Sequence, residues 1–166
     1  MNPFELDYPI LPYLVEKRWG APEESEDLDT HARHAGIDLR IEEDQLIYAP
    51  FDAVVTKVGE EGGAYFLTIV SAHPYTFPDG MYAFVELTFK RVGDYLARPG
   101  DSLRVGSEIA RGPVQMNDKP NSVHIAPKRV HKRGSGYRAV DKNATDGTFD
   151  LEPFWTGDAA VKADEE

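Results

Sequence analysis

The stretch His34-Ala35-Gly36-Ile37-Asp38-Leu39, with Tyr48-Ala49-Pro50-Phe51-Asp52-Ala53-Val54-Val55 after it, decides how this chain is interpreted. The first segment places an imidazole and a carboxylate four residues apart. Zn²⁺ accepts both groups as ligands at about 2.0–2.2 Å, and a catalytic zinc site needs three protein ligands and one open position. The question is therefore whether the rest of the chain supplies a third ligand and groups that transfer protons.

Short strands are predicted downstream of this stretch. Runs rich in β-branched and aromatic residues occupy 46–49, 53–58, 64–70 and 82–89, and Gly62-Gly63 is typical of a hairpin turn. No stretch outside the N-terminal arm shows sustained helical periodicity with start and stop signals. The pattern predicts an all-β fold with mostly antiparallel strands.

Several segments together resemble one known family. The 34–39 motif and Ala49-Pro50 look like the opening of the lysostaphin-type zinc endopeptidases, which cut peptide cross-bridges in bacterial cell walls. Residues 100–110 resemble the Gly-Asp hairpin of the duplicated hybrid motif, a barrel-sandwich hybrid fold that these enzymes have. Lys17-Arg18-Trp19-Gly20 and 147–154 resemble segments that precede and close such domains. The resemblance implies that fold.

The domain organisation follows from the same comparison. Residues 1–30 are expected to form an N-terminal arm, 31–154 the lysostaphin-like β domain, and 155–166 a disordered acidic tail. Residues 126–166 look irregular, with a basic stretch over 128–142 that is expected to be a solvated loop. Within the closing segment, Phe149, Pro153 and Phe154 are expected to pack on the β core.

The resemblance implies a metal site. His34 and Asp38 match the first two zinc ligands of the family, and Ser122-Val123-His124-Ile125 lies where the family has a His-x-His unit. His124 therefore matches the third ligand, and Zn²⁺ is the expected cofactor. His31, His73 and His131 are expected to be surface histidines.

The two catalytic positions of the family look replaced. The resemblance assigns Phe84-Val85-Glu86-Leu87 to the Tyr-x-His-Leu strand, which puts Glu86 in place of one catalytic histidine, and Ser122 replaces the other. A serine hydroxyl can donate a hydrogen bond but carries no positive charge. Glu86 could act as a general base on zinc-bound water, or it could be a fourth ligand that closes the site. The sequence leaves both open.

Two functions of different classes follow. One is a peptidoglycan peptide-bond hydrolase with weakened or altered chemistry. The other is a non-catalytic module that binds wall peptide or a protein partner, for example in a phage or secretion assembly. A phosphotransferase or carrier domain fits poorly, because the histidine motif precedes Ala49-Pro50 and no Met-Lys-Met hairpin is present.

Charge and composition restrict the partners and the location. The chain has a net charge of −11, so neither nucleic acid nor an anionic membrane is an expected partner. It has no cysteine, which excludes disulfides and thiolate metal ligands. Residues 1–14 show no secretory signal or bilayer-spanning run. The expected location is the cytoplasm, or a phage particle or the outside of the cell reached by a non-classical route.

Overall fold

The computed structural model describes residues 4–11, 13–22, 33–114, 121–143 and 145–155. In this part of the chain twelve strands and one 3₁₀ helix form, and no α-helix. None of these residues belongs to a helix long or apolar enough to cross a membrane. The strands are β1 Val15–Lys17, β2 Ile37–Ile41, β3 Leu46–Tyr48, β4 Ala53–Glu61, β5 Ala64–Ser71, β6 Tyr75–Thr76, β7 Tyr82–Val92, β8 Asp94–Tyr95, β9 Ser102–Leu103, β10 Glu108–Arg111, β11 Asn121–Arg133 and β12 Gly136–Ala139, and the 3₁₀ helix is Glu152–Phe154.

The strands form two antiparallel sheets over one hydrophobic core. The large sheet has nine strands and runs β1-β2-β11-β7-β5-β4-β9, with β12 beside β11 and β6 beside β7. The small sheet has the order β3-β10-β8. Side chains from both sheets, such as Leu87 and Ile109, belong to the same buried cluster. The all-β, mostly antiparallel fold predicted from the sequence is confirmed.

Alternating polarity gives the central strands two faces. In β7 the side chains of Ala83, Val85, Leu87 and Phe89 are buried, whereas the residues between them lie on the opposite, partly open face. Each fully buried large apolar side chain contributes about 1.5–3 kcal/mol relative to an exposed one. This register therefore determines which residues of β7 can reach a ligand.

The hairpin at 100–110 joins the two sheets. Its first strand, β9, pairs with β4 in the large sheet, and its second, β10, pairs with β3 in the small one. Gly100 and Gly106 have φ of 94° and 86°, a left-handed backbone that favours glycine. Gly100 allows the chain to turn just before β9, and Gly106 allows it to turn between β9 and β10.

The sequence predicts irregular structure over 126–166, and this prediction is wrong for the first part of the range. β11 continues to Arg133, turns at Gly134-Ser135, and pairs with β12 from Val130↔Ala139 to Arg133↔Gly136. The basic stretch is therefore largely a hairpin. Pro127 lies beyond Ile125, the last β11 residue paired with β2, and there its carbonyl oxygen accepts a hydrogen bond from Phe149 N at 3.2 Å, which needs no N–H from the proline.

Both terminal segments pack on the core. Phe149 and Phe154 are partly buried against it, as the sequence predicted, and Phe4 lies 6.0 Å and 5.0 Å from their ring centroids. Pro153, the middle residue of the 3₁₀ helix, is exposed, so the expectation that it packs on the core is wrong. Trp155, placed in the tail, stacks on Tyr8 at 5.4 Å. Residues 156–166 lie outside the described residues.

Candidate metal centre

Two neighbouring strands bring three donor groups together. His34 precedes β2, Asp38 lies within β2, and His124 on β11 is the direct register partner of Asp38. His34 Nε2 lies 3.1 Å and His124 Nδ1 2.7 Å from Asp38 Oδ1. The three donor atoms lie within 4.8 Å of one another. The structure thus assembles the ligand set that the resemblance implied.

Gly36 makes room for the third donor. A Cβ at this position would lie 2.8 Å from His124 Cε1, 2.9 Å from His124 Nε2 and 2.3 Å from the Ile125 carbonyl oxygen. Such distances are far inside ordinary van der Waals contact, so no side chain fits there. The glycine between His34 and Asp38 is therefore part of the centre, since it lets the His124 ring lie against the first motif.

The donor chemistry fits a zinc ion. Two imidazole nitrogens and one carboxylate oxygen are the donors of a three-ligand zinc site, and no fourth His, Cys, Asp or Glu joins them among the described residues. Burial raises the pKa of Asp38, but the His124 hydrogen bond and the charge of Arg91 outweigh it, and the pKa lies below its usual value. Asp38 is therefore ionised at neutral pH and ready to accept a cation.

Arg91 and Ser122 stand beside these donors. Arg91 Nη2 lies 3.2 Å from Asp38 Oδ1, and it donates to Ser122 Oγ at 3.3 Å. Arg91 Nε also donates to the Ser122 carbonyl oxygen at 3.3 Å. Ser122 is on β11, two residues before His124 and thus on the same face. The structure therefore links Ser122 to Asp38 through Arg91, a residue that the sequence did not indicate.

Glu86 does not reach the centre. It is the register partner of Lys128, whereas Lys90, four residues further along β7, is the partner of His124. At about 3.3 Å per residue the separation is roughly 13 Å. Glu86 lies in a groove of about 530 Å³ on the open face of the large sheet, with Thr68, Thr88 and Lys90. Burial raises the pKa of its carboxyl group, although Lys128 and Lys57 act in the opposite direction.

The other histidines are not part of the centre. His73 and His131 are exposed, which confirms their expected surface location, and His131 Nε2 lies 3.3 Å from the Tyr82 carbonyl oxygen. His31 lies outside the described residues.

No protein-family model matches the sequence, and no curated protein matches it. Solved structures do. The antimicrobial peptidase lysostaphin from Staphylococcus simulans is similar with a TM-score of 0.61 and 16% identity, over 98% of this chain and 58% of that chain. The chain has the fold of the lysostaphin-type peptidases. A zinc-containing peptidase from Vibrio cholerae is similar with a TM-score of 0.59 and 17% identity, over 77% of this chain and 37% of that one. LytU is similar with a TM-score of 0.58 and 18% identity, over 84% of this chain and 82% of LytU.

Within the lysostaphin-type fold, sequence reasoning missed Arg91. The segment Phe89-Lys90-Arg91-Val92 has the same aromatic-x-basic-aliphatic order as the Tyr-x-His-Leu strand, and this was the available signal. The irregular strand pairing that turns Arg91 toward Asp38 has no comparable signal in the sequence. Lys90 and Val92 pair with Phe66 and Tyr65 of β5, and Arg91 between them is left without a partner. Arg91 is thus the extra residue of a β-bulge.

Proposed function

We propose that the chain binds one Zn²⁺ through His34, Asp38 and His124 and acts on a peptide of bacterial peptidoglycan. The main support for the proposal is that His34 Nε2 and His124 Nδ1 both lie beside Asp38 Oδ1 in a lysostaphin-type fold. When bound, zinc would supply a Lewis acid for a carbonyl oxygen and lower the pKa of a bound water. The chain's own residues would position the peptide.

The groove provides a surface for an extended peptide. Lys90 lines it and is the register partner of His124, so the groove begins beside the centre. The hydroxyl groups of Thr68 and Thr88 lie 2.9 Å apart on the groove floor and offer hydrogen bonds to a peptide backbone. Glu86 lies at the far end from the centre, so we assign it to peptide binding rather than to proton transfer.

Arg91 and Ser122 then take the two places beside the metal. Arg91 offers hydrogen-bond donors and a fixed positive charge but cannot accept a proton, and the Ser122 hydroxyl carries no charge. Both can hold a carbonyl oxygen in position. Neither replaces a histidine in proton transfer, which contributes about 10²–10⁴-fold to rate. We therefore expect hydrolysis to be weak.

A second function is favoured by the same two residues. A domain that keeps its metal donors but has Arg91 and Ser122 beside them can hold a peptide without cutting it. We therefore keep a non-catalytic module, with wall peptide or a protein of a phage or secretion assembly as partner, as the alternative. The two proposals agree on zinc and differ in turnover.

Elemental analysis and zinc titration test the part that both functions share. We expect close to one Zn²⁺ per chain. His34→Ala should weaken binding by more than the roughly 10–100-fold lost when a residue that hydrogen-bonds to a metal ligand is changed. His73→Ala removes an exposed histidine away from the centre and should have no effect. A wild-type protein that takes up no zinc on titration would refute the proposal.

Release of soluble fragments from purified peptidoglycan separates the two functions. The wild-type chain should release little, and Arg91→His with Ser122→His should release more, because two groups that exchange protons near neutral pH then flank the metal. Glu86→His with Ser122→His is the matched control and should not gain activity. Rapid hydrolysis by the wild-type chain that Glu86→Gln abolishes would contradict this assignment.

A further inference from the structure

Three side-chain nitrogen atoms lie close to one carboxylate oxygen of this centre. Asp38 Oδ1 lies 2.7 Å from His124 Nδ1, 3.1 Å from His34 Nε2 and 3.2 Å from Arg91 Nη2. Of these three neighbours, only the guanidinium carries a positive charge at every physiological pH. The Asp38 side chain is 13% exposed and the Arg91 side chain 49%, so water reaches this pair from the arginine side and screens it in part.

The backbone conformation at Arg91 places its guanidinium beside Asp38. Phe89 and Val92 are buried, whereas the bulge lets Arg91 leave the core side and turn toward Asp38. Its φ of 65° is left-handed, a conformation that strains a residue other than glycine. The contacts with Asp38 and Ser122 offset this strain. The bulge and these contacts together hold the guanidinium at the centre.

We infer that Arg91 is a built-in counter-cation of the metal-free centre and that it weakens the centre's affinity for zinc. The inference rests on the proposed zinc binding and adds a property of this chain's own residues. Asp38 has a cationic partner without a metal, so folding does not depend on the ion. A divalent cation bound to the same carboxylate meets the repulsion of a charge a few ångströms away.

Zinc affinity of the full chain, measured by competition with a chromophoric chelator, tests the inference. Arg91→Gln removes the charge and keeps a donor for Ser122, and it should tighten zinc binding by about tenfold or more, because repulsion between a divalent cation and a charge a few ångströms away exceeds 1.4 kcal/mol even at an effective dielectric of about 20. Arg91→Lys keeps the charge and should bind close to wild type. Arg91→Met, which also lacks the charge, serves if Arg91→Gln does not fold.

Arg40→Gln is the matched control. Arg40 lies on the same strand and face as Asp38, two residues away, and pairs with Glu16 at 2.6 Å. This variant should leave zinc affinity unchanged. In a chelator-treated sample, Arg91→Gln should have a lower Tm than Arg40→Gln, because Asp38 has lost its cationic partner. With zinc added, Arg91→Gln should have the higher Tm of the two.

The outcomes are distinguishable. If wild type and Arg91→Gln bind zinc equally well, or if the variant binds more weakly, the inference is refuted and the zinc proposal stands. If neither protein binds zinc, both are refuted. Tighter binding by Arg91→Gln and Arg91→Met, with Arg91→Lys and Arg40→Gln unchanged, is the expected pattern.

Discussion

Gly36 links the local sequence to the metal centre. The residue lies between two donors on one segment, yet the atoms that a Cβ would strike belong to His124 and Ile125, which come some ninety positions later in the chain. A glycine in such a motif could equally reflect a turn. Here the reason is a close approach between two strands, so its replacement should affect a ring that is distant in sequence.

Gly36→Ala should therefore destabilise the fold and displace His124. Overpacking of this kind costs typically about 1–3 kcal/mol, and the shifted imidazole should also lower zinc affinity. Thermal unfolding and zinc titration measure the two effects. Gly136→Ala is the control, since the nearest atom to its added Cβ lies 4.0 Å away. Unchanged unfolding and unchanged zinc affinity in Gly36→Ala would contradict the close approach.

At the scale of the strand, β7 serves two separate regions of the open face. Its bulged C-terminal end carries Lys90 and Arg91 to the metal centre, whereas Glu86 lies in the groove. No hydrogen bond or ion pair of Glu86 is found among the described residues. A half-buried carboxylate with no direct partner is destabilising in its ionised form.

Glu86→Gln should raise the free energy of unfolding at neutral pH. Burial is the main cause of the raised pKa of Glu86. The folded state therefore binds more protons, and stability falls as pH rises from the usual carboxyl pKa through the folded one. The gain should shrink below the usual carboxyl pKa, where wild type is protonated. Denaturant unfolding at several pH values measures this.

Glu60→Gln is the control for this effect. It changes the net charge by the same amount at an exposed position of β4 and should be close to neutral in stability. A loss of stability in Glu86→Gln at neutral pH would mean that the carboxylate has a favourable partner, and the prediction would then be wrong.

The strands differ in how well local sequence predicts them. β5 was expected over 64–70 and runs Ala64–Ser71, because a β-branched and aromatic run between turn residues has few alternatives. The C-terminal half of β11 was missed. The buried alternation of Val123 and Ile125 continues at Pro127, a residue that local sequence does not assign to a strand, and Lys and Arg residues follow it, so the strand becomes apparent only beside β7 and β12.

At the scale of the whole molecule, the two ends of the described chain close on each other. Leu6 N donates to the Phe154 carbonyl oxygen at 2.9 Å, and Leu6 pairs with Trp155 in a parallel bridge. Tyr8 and Tyr13 lie 5.4 Å and 5.7 Å from the Trp155 ring. The N-terminal segment thus contributes side chains to the core and is held there by the last residues before the tail.

Two truncations that differ by three residues should therefore behave differently. Ending the chain after Gly157 should leave stability nearly unchanged, because the residues removed are charged or small and can bury little apolar surface. Ending it after Phe154 removes Trp155 and should cost roughly 2–4 kcal/mol, since loss of a packed Trp costs about 3–5 when fully buried. That corresponds to a fall of about 5–12 °C in Tm. Equal Tm values would contradict this closure.

The sequence by itself determined the all-β fold and the three donors. These depend on local signals: alternating apolar runs, turn glycines, and a His-x-Gly-x-Asp motif followed by a late histidine. Only the tertiary structure decided which side chains stand next to those donors. A single extra residue in β7 brings Arg91 to Asp38, and the register between β7 and β11 places Glu86 about 13 Å from the donors. The physical reason is that a bulge depends on pairing between strands distant in sequence, so the residues of one strand alone do not reveal it.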